Sequence, residues 1–394
     1  MRAVERPPVE RPDAERDARH AAIATSGWGA HFHFVQPRNA CFWVYLALVG
    51  AGIWSAVTLT APTARIFAVA NITAVLTSSL FAAAFVLFLH RSDRWERTPA
   101  RLAVAAFLVG GFGAAFAMAL PGNAAVMSLY TKVFGQAFAA DWQAGLTAPI
   151  VEESSKGVAF LLVMGLAPVV VRTLYDGLIV GAYTGLGFQV LEDVLYGQNS
   201  AAAHFGADQA QSVLSTFVLR SLTGVASHAL YTALFAAGLI YLIGTVAQPR
   251  RLGRGTALVV APVVLHGVWD SLGALAGGTA WATVLMVVVT VVSLVLVGVT
   301  LRLGGARERG FLRAVLQPEV SAGTITAAEL DALAGHRRER RAAVRGRAPG
   351  ISSRREKHIL QAARDLAHDL CESGGEDSPA VAHSRSEIAR LRRR

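Results

Sequence analysis

The stretch PIVEESSKGVAFLLV, residues 149–163, places two carboxylates and an ammonium inside a run otherwise apolar enough to cross a membrane. An ionised side chain at the bilayer centre costs about 2.5–3.5 kcal/mol on insertion scales. Glu152, Glu153 and Lys156 therefore belong against a protein interior or a water-filled cavity, not against lipid. Glu152 and Lys156 stand one turn apart and share a face, whereas adjacent Glu152 and Glu153 diverge by about 100°. One glutamate is expected to face a chamber and the other to support it.

Outward from that stretch, seven more segments approach the roughly 20 apolar residues a spanning helix needs. The eight are Cys41–Leu59, Ile66–His90, Leu102–Leu120, Leu146–Pro168, Asp176–Gly197, Ser212–Gly244, Thr256–Leu275 and Trp281–Leu303. With 53% of the 394 residues hydrophobic and only 16% charged, a soluble globular reading is disfavoured. The expected fold is all-α, a polytopic membrane bundle of about eight helices. Residues 1–40 read as a flexible tail with no secretory signal peptide, 41–303 as the membrane domain, and 304–394 as a basic, helical or partly disordered tail.

The net charge of +10 sits in the tails and in alternate connections. Arginines crowd the connections at 91–101, around Arg172 and at 248–254, and are absent from 199–211 and 276–280. That asymmetry predicts both termini on the cytoplasmic side and accounts for the charge without nucleic acid. The basic tail is expected to favour anionic lipid headgroups. Cys41 and Cys371 lie too far apart in sequence and setting to suggest thiol chemistry or a cysteine metal cluster. The Arg-rich, Lys-poor composition points to a GC-rich genome, and the expected location is a bacterial plasma membrane.

Polar residues concentrate in the fourth to seventh segments: Glu152, Glu153 and Lys156; Glu192 and Asp193; Arg220 and His228; His266 and Asp270. Glu152, Glu192, His228 and Asp270 each lie about 14–16 residues from the cytoplasmic end of their helix, about 21–24 Å at 1.5 Å per residue. The four helices thus bring their polar groups to one level in the outer part of the bilayer. Asp270 stands one turn after His266, placed to orient its ring. Arg220 is expected to balance the carboxylates, Asp176 to N-cap the fifth helix, and Gly177, Gly181, Gly185 and Gly187 to let a neighbour approach closely.

These groups suit amide hydrolysis. A desolvated glutamate takes a proton from water and passes it to the leaving amine, while histidines either hold a Lewis-acid metal or donate to the oxyanion. No HExxH occurs, so the zincin arrangement is absent. A proton-coupled transporter is the rival reading, since acidic and imidazole relays also mark transport pathways. It would favour inverted repeats and helices interrupted near mid-membrane, and the sequence gives no sign of either.

EESSK (152–156), GFQVLED (187–193), His228 and HGVWD (266–270), in this order on separate helices, resemble the successive motifs of the PrsW family of intramembrane proteases. That family is related to the CAAX prenyl endopeptidase and bacteriocin-processing superfamily, and the resemblance spans about residues 40–303. It implies a membrane-embedded endopeptidase whose better-known members make the first, extracytoplasmic cut in a membrane-anchored anti-sigma factor. Glu152 would activate water, Glu153 would assist or help bind a metal, and Lys156 would balance their charge. Glu192, His228 and His266 would form the metal or oxyanion set, with Asp270 orienting His266. The family name implies zinc, although relatives have also been read as glutamate enzymes without catalytic metal. The second motif ends Glu192-Asp193 where many members carry Glu-Asn.

Overall fold

The computed structural model describes residues 12–224, 228–335, 337–345 and 352–393, and among these every regular element is helical. Two compact units emerge, residues 32–303 and residues 1–31 with 304–394.

The larger unit begins with α2 (Ala40–Thr60) and α3 (Ala68–Ser92), which follow α1 (Pro12–Ser26) of the other unit. α4 (Ala100–Leu108), a π-helical segment (Val109–Ala119) and α5 (Leu120–Phe134) run on as one apolar span. It outlasts the expected stop at Leu120 because Pro121 falls in the first turn of α5, where a missing N–H costs least. Then come α6 (Gln136–Leu166), α7 (Leu174–Ala203), α8 (Gln209–Thr223), α9 (His228–Ile243), α10 (Leu252–Asp270), the single turn α11 (Leu272–Leu275) and α12 (Trp281–Ser321).

Among the described residues six helices are long and apolar enough to cross a membrane, and α8 with α9 makes a seventh if that pair, bent by 41°, counts as one span. α6, with 31 residues, is the remaining segment of the expected eight; Glu152, Glu153 and Lys156 keep it from qualifying on composition. The sixth expected segment is interrupted, contrary to the reading of unbroken helices. Gly224, with no Cβ to stabilise a helix, closes α8, and the next described residue, His228, opens α9.

α7 is buried along nearly its whole first half, Leu174 to Val190. Its glycines explain why, because hydrophobic gain is small in lipid and close packing must hold helices together. A Cβ on Gly181 would lie 2.8 Å from Thr232 O, and one on Gly185 2.3 Å from His228 O, so α9 rests directly on this stripe. Gly187 faces elsewhere: its Cβ would fall 1.9 Å from Phe107 O of α4. α7 is therefore clasped from two sides, as its glycine spacing predicted for one. By contrast α2, α3 and α12 leave many Val, Leu and Ile side chains exposed, surfaces suited to lipid.

The N-cap of α7 differs from expectation. Thr173 occupies it, its hydroxyl accepting from Asp176 N at 3.2 Å, while the Asp176 carboxylate accepts from Thr173 N at 2.8 Å. Asp176 is thus the third helical residue of a capping box. At the same end Tyr175 donates to Ser92 O and Thr245 to Arg172 O, tying the arginine-bearing connections together. Asn39 Nδ2 donates to Gly165 O at 2.9 Å and pins the start of α2 to the end of α6.

In the smaller unit the expected N-terminal tail contains α1, and the C-terminal region forms α13 (Ala327–Ala334), α14 (Arg337–Arg345), α15 (Ser353–Glu372) and α16 (Pro379–Arg393). The capping box read at Thr326 and Glu329 is present. Glu319, 2% exposed, accepts from Arg19 Nη2 of α1 at 2.9 Å and from Arg385 Nη2 of α16 at 2.7 Å. Arg19 Nε also donates to Val315 O at 2.8 Å. Neither Cys41 nor Cys371 forms a disulfide among the described residues.

Candidate active site

α6 delivers the acidic pair one turn after Pro149, whose missing N–H and ring loosen the helix there. Glu152 turns toward a cavity of about 450 Å³ that is also lined by Glu192, Arg220, His228, His266 and Asp270. Glu153 and Lys156, both 0% exposed, lie behind it. The residues singled out on four separate segments therefore meet around one space.

Each carboxylate has a distinct task. Glu152 Oε1 accepts from Asn123 Nδ2 at 2.9 Å, while its Oε2 has no hydrogen-bond partner and stands 3.8 Å from both His228 Nδ1 and His266 Nε2. Glu153 Oε1 binds Lys156 Nζ at 2.6 Å and His266 Nδ1 at 3.0 Å. Glu192 Oε2 takes His228 Nε2 at 2.9 Å and Arg220 Nη2 at 2.7 Å. Asp193 shares Arg220 through Nε, and the guanidinium lies 3.9 Å over the Tyr196 ring.

The imidazoles are held from both ends. With Glu192 on His228 Nε2, the proton belongs on that nitrogen and Nδ1 presents a lone pair, which accepts from Lys156 Nζ at 2.9 Å. His266 has Glu153 on Nδ1 and Asp270 Oδ2 at 3.3 Å on Nε2, so the expected one-turn partnership is present. Tyr231 stacks on His266 at 5.7 Å between centroids, and Phe188 packs on His228 at 5.0 Å. Lys156 also lies 4.5 Å over Phe188.

Among the described residues, five carboxylates, the buried Glu152 and Glu153 and the half-buried Glu192, Asp193 and Asp270, face Lys156 and Arg220 as the fixed cations. A buried excess of negative charge calls for protons or a metal cation. One ligand atom each from Glu152, His228 and His266 lies within 4.8 Å of the others, and Glu152 Oε2 is an orphaned acceptor among them. Two imidazoles and a carboxylate form a zinc-type donor set, so these residues fit a metal ion. An ion seated on His228 Nδ1 must displace or neutralise the Lys156 ammonium beside it. The grouping differs from the expected Glu192, His228 and His266, because Glu192 is engaged with the far nitrogen of His228 and with Arg220.

Sequence reasoning missed Asn123, which the expected end of the third span at Leu120 placed outside the membrane, and Tyr231, an aromatic in an apolar run. A family model for PrsW family intramembrane metalloproteases matches residues 98–297, half of the chain. The chain belongs to the PrsW family. The match takes in every residue of the cavity named above, and it makes this PrsW chain an intramembrane protease. No curated protein and no solved structure matches it.

Proposed function

We propose that the protein hydrolyses a peptide bond in a membrane-anchored protein, with Glu152 as the base that activates water. The observation carrying this is Glu152 Oε2: buried, without a hydrogen-bond partner, on a residue of the cavity wall, 3.8 Å from each imidazole and 3.9 Å from Lys156 Nζ, where a water molecule can bridge. Asn123 holds the other oxygen, which leaves Oε2 as the basic atom.

Glu152 takes a proton from that water as its oxygen attacks the scissile carbonyl carbon, then passes the proton to the departing amine. Such acid–base transfer contributes about 10²–10⁴-fold. His266, with carboxylates on both nitrogens, bears the positive charge that stabilises the oxyanion, and Asp270 and Glu153 fix its ring. Lys156 balances Glu153 and Glu152 and donates to His228 Nδ1, which fixes that ring from behind the cavity. A zinc ion, if bound, would take Glu152, His228 and a deprotonated His266 as ligands in place of that imidazolium, and would supply Lewis acidity in its stead.

The family's habit of making the first, extracytoplasmic cut in an anti-sigma factor supports a substrate of that class, anchored in a bacterial plasma membrane, with both termini of the enzyme cytoplasmic. The arginine-bearing connections support that orientation. The test is Glu152→Gln in purified protein against membrane-anchored peptides. Cleavage is expected to fall by about 10²–10⁴-fold, and cleavage that survives removes Glu152 as base. A wild type that cleaves nothing but carries out proton-coupled uptake favours a transporter. Metal content and chelator inhibition then report whether zinc takes part.

A further inference from the structure

Asn123 is the one polar contact to Glu152 that comes from α5, a helix with no buried residue. Its geometry fixes the chemistry of both its ends. Glu152 Oε1, as a carboxylate oxygen, only accepts, so the Asn123 atom 2.9 Å away is the amide nitrogen. The amide oxygen is then an acceptor by elimination. It is buried and has no partner, on a side chain that lines the same cavity as Glu152, Glu192 and His266.

The local sequence builds this contact. Gly122 has no side chain where a Cβ would lie 2.8 Å from Val151 Cγ1, so α5 closes on α6 at this level. The next residue, Asn123, reaches Glu152, the next residue after Val151. The register pairs the two side chains across the helix interface.

A buried acceptor left unmade costs free energy, and in the membrane interior nothing in lipid can satisfy it. A peptide entering the cavity brings the matching deficit, since unwinding it for cleavage frees backbone N–H groups. We infer that Asn123 joins base to substrate: its Nδ2 positions Glu152, and its Oδ1 accepts a backbone N–H of the peptide near the scissile bond. The inference rests on the reading of Glu152 as base. It assigns substrate alignment to α5, so seating of the peptide and orientation of the carboxylate occur through one amide.

The test uses the full-length enzyme in detergent micelles and a fluorogenic single-span peptide that wild type cleaves and Glu152→Gln does not. That pair of controls establishes the base independently of Asn123. Asn123→Ala removes both contacts and is expected to lower kcat about 10- to 100-fold and raise KM about 2- to 10-fold. Asn123→Asp keeps an acceptor oxygen but sets a second carboxylate against Glu152, so kcat is expected to stay low while KM moves less than in Asn123→Ala. A peptide in which an ester replaces the contacted amide loses affinity for wild type and not for Asn123→Ala. This substrate-side measurement reads the contact in unaltered enzyme, where folding of a variant is not at issue. A kcat for Asn123→Ala within twofold of wild type overturns the positioning role. Ester substitution that leaves wild-type KM unmoved at each backbone position flanking the cut overturns the acceptor role.

Discussion

Glu192 Oε2 lies 2.9 Å from His228 Nε2 and 2.7 Å from Arg220 Nη2, so one oxygen of α7 holds an imidazole of α9 and a guanidinium of α8. The carboxylate sets which nitrogen of His228 is protonated and hence that Nδ1 faces Glu152. Glu192→Gln can present an N–H to the ring and reverse that choice. Activity is expected to fall about 10- to 100-fold, read as kcat on a cleaved peptide. Wild-type kcat in this variant would show that the tautomer of His228 is not part of the chemistry.

Gly185 sets the distance between α7 and α9. Its replacement by Val puts a Cβ 2.3 Å from His228 O, against backbone that cannot swing away. Overpacking of this kind costs about 1–3 kcal/mol, and it pushes on the first residue of α9, which carries the imidazole. Lower thermal stability in detergent and reduced cleavage are both expected. Gly298→Ala in α12, with nothing within 4 Å of the added methyl, serves as the control and is expected to be neutral or slightly stabilising.

Asp93 caps the end of α3 at the connection to α4, 8% exposed, and accepts from Thr98 N at 2.6 Å. Burial pushes its pKa up to about 7, against the pull of the Thr98 hydrogen bonds. The folded chain therefore holds this proton to about pH 7 while an unfolded aspartate releases it near pH 4. Because the native state binds the extra proton, stability is greatest below about pH 4 for this group and declines as pH rises to about 7. Asp93→Asn should flatten that decline, seen as a smaller drop in Tm between pH 5 and pH 8, and an unchanged drop would refute it.

Glu319 is buried between Arg19 and Arg385. Glu319→Gln leaves the buried Arg19 guanidinium without its counter-charge, a change that costs about 3–5 kcal/mol when a buried pair is broken, whereas Arg385 keeps Asp377 at 2.6 Å. The expected result is faster tryptic cleavage within α1, with residues 32–303 still resistant. Equal rates in wild type and variant would mean that α1 is held by its apolar contacts alone.

The spans and the cavity were largely legible because membrane insertion makes a buried charge expensive, so each acidic or imidazole residue in an apolar run announced a protein interior. Glu152, Glu192, His228 and Asp270 followed from polar residues at one depth in apolar runs, and His266 from its one-turn spacing to Asp270. The partition of tasks among the carboxylates did not, since one-dimensional spacing cannot tell that Glu192 reaches the far nitrogen of His228. Asn123 was hidden behind Pro121 and Gly122, which read as a stop although Pro is tolerated in a first helical turn. The interruption before His228 was masked by apolar residues on both sides of Gly224.

Arg19 donates to Val315 O and to Glu319, which places a helix before the first crossing in contact with chain that follows the last. Such a contact suits an arrangement with both ends on one side of the bilayer, which goes with an even number of passages. The six uninterrupted helices and α6 together make seven. In that arrangement an α6 that traverses goes with an α8–α9 pair that crosses as an eighth passage, and a pair that doubled back would leave seven.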